Sequence, residues 1–154
     1  MSIETPPPSM LAKRFGYELK RAQHALRVAM DSALRPLALT TPQYAVLSAL
    51  EAESGMSNAR LARISFVTPQ TMHGLLTILA RSGLIARDAD AGHGRILHTC
   101  LSSRGSRLLA EAHLKVAVIE AEIIASLGKA ESVRMTAALT RCADSLPATR
   151  AASA

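Results

Sequence analysis

Between residues 56 and 107 stand seven arginines, Arg60, Arg63, Arg81, Arg87, Arg95, Arg104 and Arg107, facing Asp88 and Asp90 with no lysine or glutamate. That stretch carries 7 − 2 = +5 of a chain total of +6. Such a concentration of one sign suits a polyanionic partner, and a plainly solvated basic face is the alternative reading. The other residues able to do chemistry point away from catalysis. His24, His73, His93, His98 and His113 are scattered, and none pairs with an acidic residue at metal-ligand spacing. There is no phosphate-cradling glycine loop, nucleophile elbow or paired-carboxylate signature. The sequence therefore predicts no enzyme activity, no cofactor and no metal. Cys100 and Cys142 form neither a metal-ligand spacing nor a secretory disulfide framework. Cys142 reads as a small core residue and Cys100 as reachable from solvent; a thiol switch would need an electropositive, accessible site.

These residues ride on a chain of 154 residues, the length of one ordinary domain, with 49% apolar content to build a core. Its abundance of alanine, leucine and arginine favours helices. No apolar stretch approaches the roughly 18 to 20 residues that span a bilayer. Residues 1–9 hold three prolines and lack the plan of a signal peptide, so a cytoplasmic protein with no membrane partner is expected.

Residues 1–9 read as a flexible lead-in ending at a capping Ser9. Leu11, Phe15, Leu19, Ala22, Leu26, Met30 and Ala33 then recur on one helical face, which predicts a helix over 10–34 stopped by Pro36. Two Thr-Pro-Gln units follow, at Thr41 and at Thr68. In each, threonine suits the N-cap and proline the first helical position. The first leads into Val46, Leu47 and Leu50 and stops near Gly55; the second leads into Met72, Leu75, Leu76 and Leu79 and stops at Gly83. Between them a short helix capped by Ser57 turns Leu61, Ala62 and Ile64 inward. Two short helices joined through Ser65, Phe66 and Val67 make a helix-turn-helix.

After Gly83 the period changes to that of a strand over 84–87. Beyond a polar stretch, Leu97, Thr99 and Leu101 alternate with His98 and Cys100 as a return strand. A hairpin in this place is a wing. A long helix then carries Leu108, Ala112, Val116, Ile119, Ile123 and Leu127 to Gly128, and a last helix carries Met135, Leu139, Cys142 and Leu146 to Pro147. The fold class expected is mostly α with a small β-hairpin: a winged helix-turn-helix over 41–102 inside a single unit over 10–146, with a flexible tail over 147–154. The helices over 10–35 and 103–146 carry more apolar surface than one small domain needs. Dimerisation through them, or packing within one chain, would cover it.

The order of elements, together with Leu61-Ala62, Val67-Thr68-Pro69-Gln70-Thr71-Met72, Arg81-Ser82-Gly83-Leu84-Ile85-Ala86-Arg87 and the return from Arg95 through Leu101-Ser102 to Gly105, resembles the multiple-antibiotic-resistance-regulator (MarR) family. The resemblance implies a homodimer that binds a pseudo-palindromic duplex DNA, a repressor released by a small aromatic effector. It places the Thr68 helix in the major groove and Arg95 at the minor groove. The family's wing carries an acidic residue two positions before that arginine, with another arginine between; here they are His93 and Gly94. The family's redox-sensing branch has a cysteine in the first helix, and this chain has none there.

The candidate DNA-contacting residues are Ser57, Asn58, Thr68, Pro69, Gln70, Thr71, His73 and Arg95. Gln70 can pair bidentately with adenine, and Thr71 can offer a hydroxyl or a methyl. Thr68 is equally readable as a cap alone. Arg60, Arg63, Arg81 and Arg87 read as phosphate-facing or merely solvated. For an effector, Lys13, Arg14, Tyr17, His24 and Tyr44 could supply polar groups, and none is assigned. The alternatives are a winged dimer serving as a protein-interaction module, which needs no such arginine excess, and a redox-gated repressor.

Overall fold

The computed structural model describes residues 14–89 and 97–146. Helix α1 spans Phe15–Leu34 and passes directly into a one-turn 3-10 helix, Arg35–Leu37, that contains Pro36. Proline lacks the N–H that a continuing helix needs, so α1 stops where expected. Its start is a correction: Arg14 is extended, and the helix begins at Phe15 rather than at Met10. Apolar spacing marks a face and not an end, and Arg14 supplies no side-chain cap. Ser9 and residues 1–9 lie outside the described residues, as does the tail over 147–154.

Helix α2, Thr41–Ala52, brings a second correction, because its N-cap is Thr40 and not Thr41. The Gln43 N–H donates to Thr40 Oγ1 at 3.4 Å while Gln43 Oε1 accepts from the Thr40 N–H at 2.9 Å, a capping box. Thr41 is thereby free to donate its N–H and hydroxyl to Asp31 Oδ1, at 3.0 and 2.6 Å, tying α2 to the end of α1. The two Thr-Pro-Gln units differ in register because only the first has another threonine before it.

The Thr41 hydroxyl and then its N–H, assisted by Arg27, hold the Asp31 carboxyl below the ordinary aspartate range. A depressed folded-state value means stability that is present above the unfolded value, near about 3.9, and lost as pH falls through the folded one. An Asp31→Asn variant should therefore show a shallower loss of stability below about pH 4 than the wild type, in urea melts across pH. Identical acid limbs would remove Asp31 from that role.

Helices α3, Asn58–Ile64, and α4, Pro69–Arg81, follow, then strands β1, Ile85–Ala89, and β2, Leu97–Leu101. The strands pair antiparallel, with Ile85 opposite Leu101 and Arg87 opposite Thr99. β1 thus begins one residue later and ends two residues later than the sequence predicts. Met56 bridges to Thr99, and the Gly55 N–H donates to the Thr99 carbonyl at 3.0 Å. A single bridging residue has no alternation to reveal it. His98 Nδ1 lies 3.0 Å from the Gly55 carbonyl, so it faces the protein as well as solvent. Helix α5, Ser103–Leu127, is capped by Ser102, and α6, Lys129–Ser145, follows Gly128.

The core joins α2 (Val46, Leu47, Leu50), α3 (Leu61), α4 (Met72, Leu76, Leu79), the start of the wing (Leu84, Ile85) and the first half of α5 (Leu109, Ala112, Val116). Ile64, expected inward, is exposed, and Val67 in the following turn packs on the core in its stead. α1 adds only Leu34 and α6 adds no buried residue. Phe15, Leu19 and Leu26 on α1, Ile123 and Leu127 on α5, and Met135 and Leu139 on α6 stay exposed. Packing within one chain leaves those stripes uncovered.

Candidate nucleic-acid interface

Ser57 caps α3 by accepting the Arg60 N–H at 3.3 Å. The helix ends in a tight reversal: Val67 N–H donates to the Ala62 carbonyl at 3.0 Å and Phe66 N–H to the Arg63 carbonyl at 3.3 Å. This pair of bonds requires a left-handed residue at position 66, and Phe66 has φ +55°. Thr68 then caps α4, its Oγ1 accepting the Thr71 N–H at 3.1 Å and lying 2.9 Å from Thr71 Oγ1. Pro69 takes the first helical position, as its missing N–H allows.

Met72, Leu76 and Leu79 anchor α4, leaving Pro69, Gln70, Thr71, His73 and Gly74 exposed along its N-terminal turns. No acidic residue stands in the first turn to oppose an anion. A Cβ added at Gly74 would meet nothing within 4 Å, so packing does not explain that glycine. Asn58 is committed differently from its neighbours. Its amide donates to the Pro69 carbonyl at 3.2 Å and braces α3 against the first turn of α4. Among the arginines, Arg60 pairs with Glu53 at 2.5 Å, Arg87 is half-buried, and Arg63, Arg81, Arg104 and Arg107 are exposed. Arg95, with His93 and Gly94, lies outside the described residues.

Between α2 and α5 runs a polar chain that sequence spacing does not reveal. Tyr44 on α2 lies 2.9 Å from His113 Nδ1 on α5, and His113 Nε2 lies 2.8 Å from Glu51 Oε2. Since a carboxylate only accepts, Nε2 carries the proton and Nδ1 of a neutral ring accepts from the phenol. Burial, with help from Glu120 and Glu51, pushes the Tyr44 phenol above its ordinary value. The signal in the sequence is weak because His113 stands 69 and 62 positions from Tyr44 and Glu51, which are themselves about two helical turns apart. Beside α1 a cleft of about 530 Å³ is lined by Arg27, Asp31, Arg35, Leu39, Thr40 and Pro42. Tyr17 is half-buried, Arg14 and His24 are exposed, and Lys13 is outside the described residues. Cys100 and Cys142 are both half-buried and both free thiols.

The model of the MarR family matches residues 39–96. The HTH-type transcriptional repressor Rv2887 of Mycobacterium tuberculosis is 39% identical over 112 residues, which is 73% of this chain and 81% of the relative. The chain belongs to the MarR family. Known structures agree with that placement. The transcriptional repressor CouR bound to a 23-mer DNA duplex has a TM-score of 0.84 at 26% identity, over 91% of this chain and 99% of that one. Rv2887 in complex with salicylic acid has a TM-score of 0.70 at 35% identity, over 86% and 99% of the two chains. This MarR-family chain is a transcription regulator, like the repressors it matches.

Proposed function

We propose that this chain is a homodimer that represses transcription by seating its two α4 helices on a pseudo-palindromic duplex, and that a small aromatic acid releases it. The observation that carries this reading is the first stretch of α4, open to solvent at Pro69, Gln70, Thr71 and His73, without an acidic residue and anchored by Met72, Leu76 and Leu79. A helix offered in this way can reach base edges with its N-terminal residues. Gln70 reads adenine, Thr71 and His73 extend the readout, and the Gln70 N–H beside Pro69 takes a phosphate. Ser57 meets the backbone, Asn58 supports that contact by bracing α3 on Pro69, and Arg95 reaches a narrow minor groove from the wing. No step in this work needs catalysis or a cofactor, and its compartment is the cytoplasm.

The effector part rests on the salicylic acid held by Rv2887 and on the cleft beside α1. Arg35 suits a carboxylate there, Arg27 being paired with Asp31 in the same lining, and Leu39 and Pro42 suit a ring. A ligand that prefers a dimer with the wrong spacing of α4 helices shifts the population away from DNA.

The test is a titration of labelled duplex from immediately upstream of the protein's own gene, beside random duplex, across a salt series. Wild type should prefer the upstream duplex, with log K falling by about 0.9 per phosphate contact per log unit of salt. Gln70→Ala should cost about tenfold on that duplex and nothing on random DNA. Arg95→Ala should weaken the complex, and sodium salicylate should release it. Equal and weak binding of both duplexes by wild type would overturn the reading.

A further inference from the structure

Phe66 is 96% exposed, the most open large apolar side chain among the described residues. It is one of only two phenylalanines in the chain, so the core has gone without that ring. Its backbone is no more comfortable. The reversal after α3 places it in the left-handed region, where a bulky residue is disfavoured and glycine is at ease. The end of α4 shows the easier solution. There Leu84 N–H donates to the Leu79 carbonyl and Gly83 N–H to the Ala80 carbonyl, the same two bonds, and the residue in the equivalent place is Gly83 with φ +67°. For the free protein, then, the phenyl ring brings conformational strain and no packing. The fold gives no reason for it.

Its position does. Phe66 comes two residues before the Thr68 cap, so its Cα lies at most about 7.6 Å from that of Thr68. Any complex that brings the first turn of α4 to base edges also brings duplex to position 66. A helix about 10 to 12 Å across fills a major groove about 12 Å wide, so a side chain beside its N-terminus meets the groove wall and not its floor. That wall presents deoxyribose edges, which are apolar surfaces a ring can cover.

We propose that Phe66 is a DNA-contacting residue, packing its ring on the deoxyribose edges of the groove wall next to Gln70. The contact rests on the DNA-binding function proposed above and adds an apolar anchor to it. It buries the ring only in the complex, so it strengthens binding without stabilising the free protein.

The experiment compares wild type, Phe66→Gly and Phe66→Leu for thermal stability and for binding to the upstream duplex across a salt series. Phe66→Gly should melt no lower than wild type and yet bind about tenfold more weakly, while Phe66→Leu keeps most of the affinity. Because no counterion is released by an apolar contact, the salt slope of Phe66→Gly should equal that of wild type. A Phe66→Gly protein that binds as wild type does would overturn the contact and leave the DNA-binding reading intact. So would a lowered melting temperature or a shallower slope, either of which would mean that α4 itself had moved. A wild type that does not prefer the upstream duplex would overturn both.

Discussion

Gly105→Ala is expected to destabilise the protein by about 3 kcal/mol and to lower its melting temperature by about 10 °C. Gly105 is buried in the first turn of α5, where an added Cβ would stand 1.9 Å from the Leu84 carbonyl oxygen and 2.9 Å from its carbon. Those are backbone atoms and cannot swing aside. The Leu84 carbonyl also accepts the Ser102 N–H at 3.1 Å, and the Ser102 hydroxyl donates to the Gly83 carbonyl at 2.6 Å while accepting the Gly105 N–H. The wing and α5 are thus fastened at one knot, and relief of the clash must break either the cap or the strand entry. The gain from replacing a helical glycine, up to about 1 kcal/mol, is the smaller effect. Gly16→Ala is the control, since a Cβ there meets nothing within 4 Å and only the favourable term remains. Melts followed by circular dichroism at one protein concentration would decide the matter. Equal melting temperatures for the two variants would mean that the knot yields cheaply.

The same knot shows what a sequence can and cannot reveal. Ser57, Thr68 and Ser102 are capping residues followed by helix formers, and each caps as its local chemistry predicts. Gly83 likewise ends α4 in the left-handed conformation that its type suggests. These features depend on neighbours within a few residues. Gly105 does not: its requirement comes from Leu84, on the far side of the wing. Asn58 reads as a DNA-contacting residue at a helix start, yet its amide crosses to Pro69. The bridge from Met56 to Thr99 and the chain from Tyr44 through His113 to Glu51 are also tertiary. Phe66 was legible as part of a turn, while its left-handed backbone and full exposure were not. The first helix shows the opposite limit: periodicity marks an apolar face and carries no stop signal, and the helix begins at Phe15.

A double substitution on the exposed apolar faces, Leu19→Glu with Leu139→Glu, is expected to turn a dimer into a monomer and to cost about 100-fold or more in affinity for the upstream duplex. The argument begins with what holds α6. It is a helix of 17 residues in which no residue is buried, and isolated helices of that length are marginal in water. Leu19 and Leu139 are both exposed, as are Leu26, Ile123, Leu127 and Met135, so apolar surface remains uncovered on all three helices outside the winged part. At about 25 cal/mol per Å² of apolar area removed from water, covering such faces with a second copy can supply what a single chain lacks. A buried, unpaired glutamate at each site would reverse that gain. The core itself runs from Leu34 to Val116 and includes neither position, so the winged part should stay folded. Light scattering should therefore report a monomer whose α4 amides still resist hydrogen exchange. Affinity falls because a monomer occupies one half-site, while a dimer spans two half-sites about 34–36 Å apart and gains from their linkage. Random duplex, bound through charge, should also be held more weakly and with a shallower salt slope, because a monomer makes half the phosphate contacts. A variant that stays dimeric would show that other surfaces make the dimer. A monomer that keeps full affinity would show instead that one α4 helix suffices, and the twofold reading of the DNA site would fall with it.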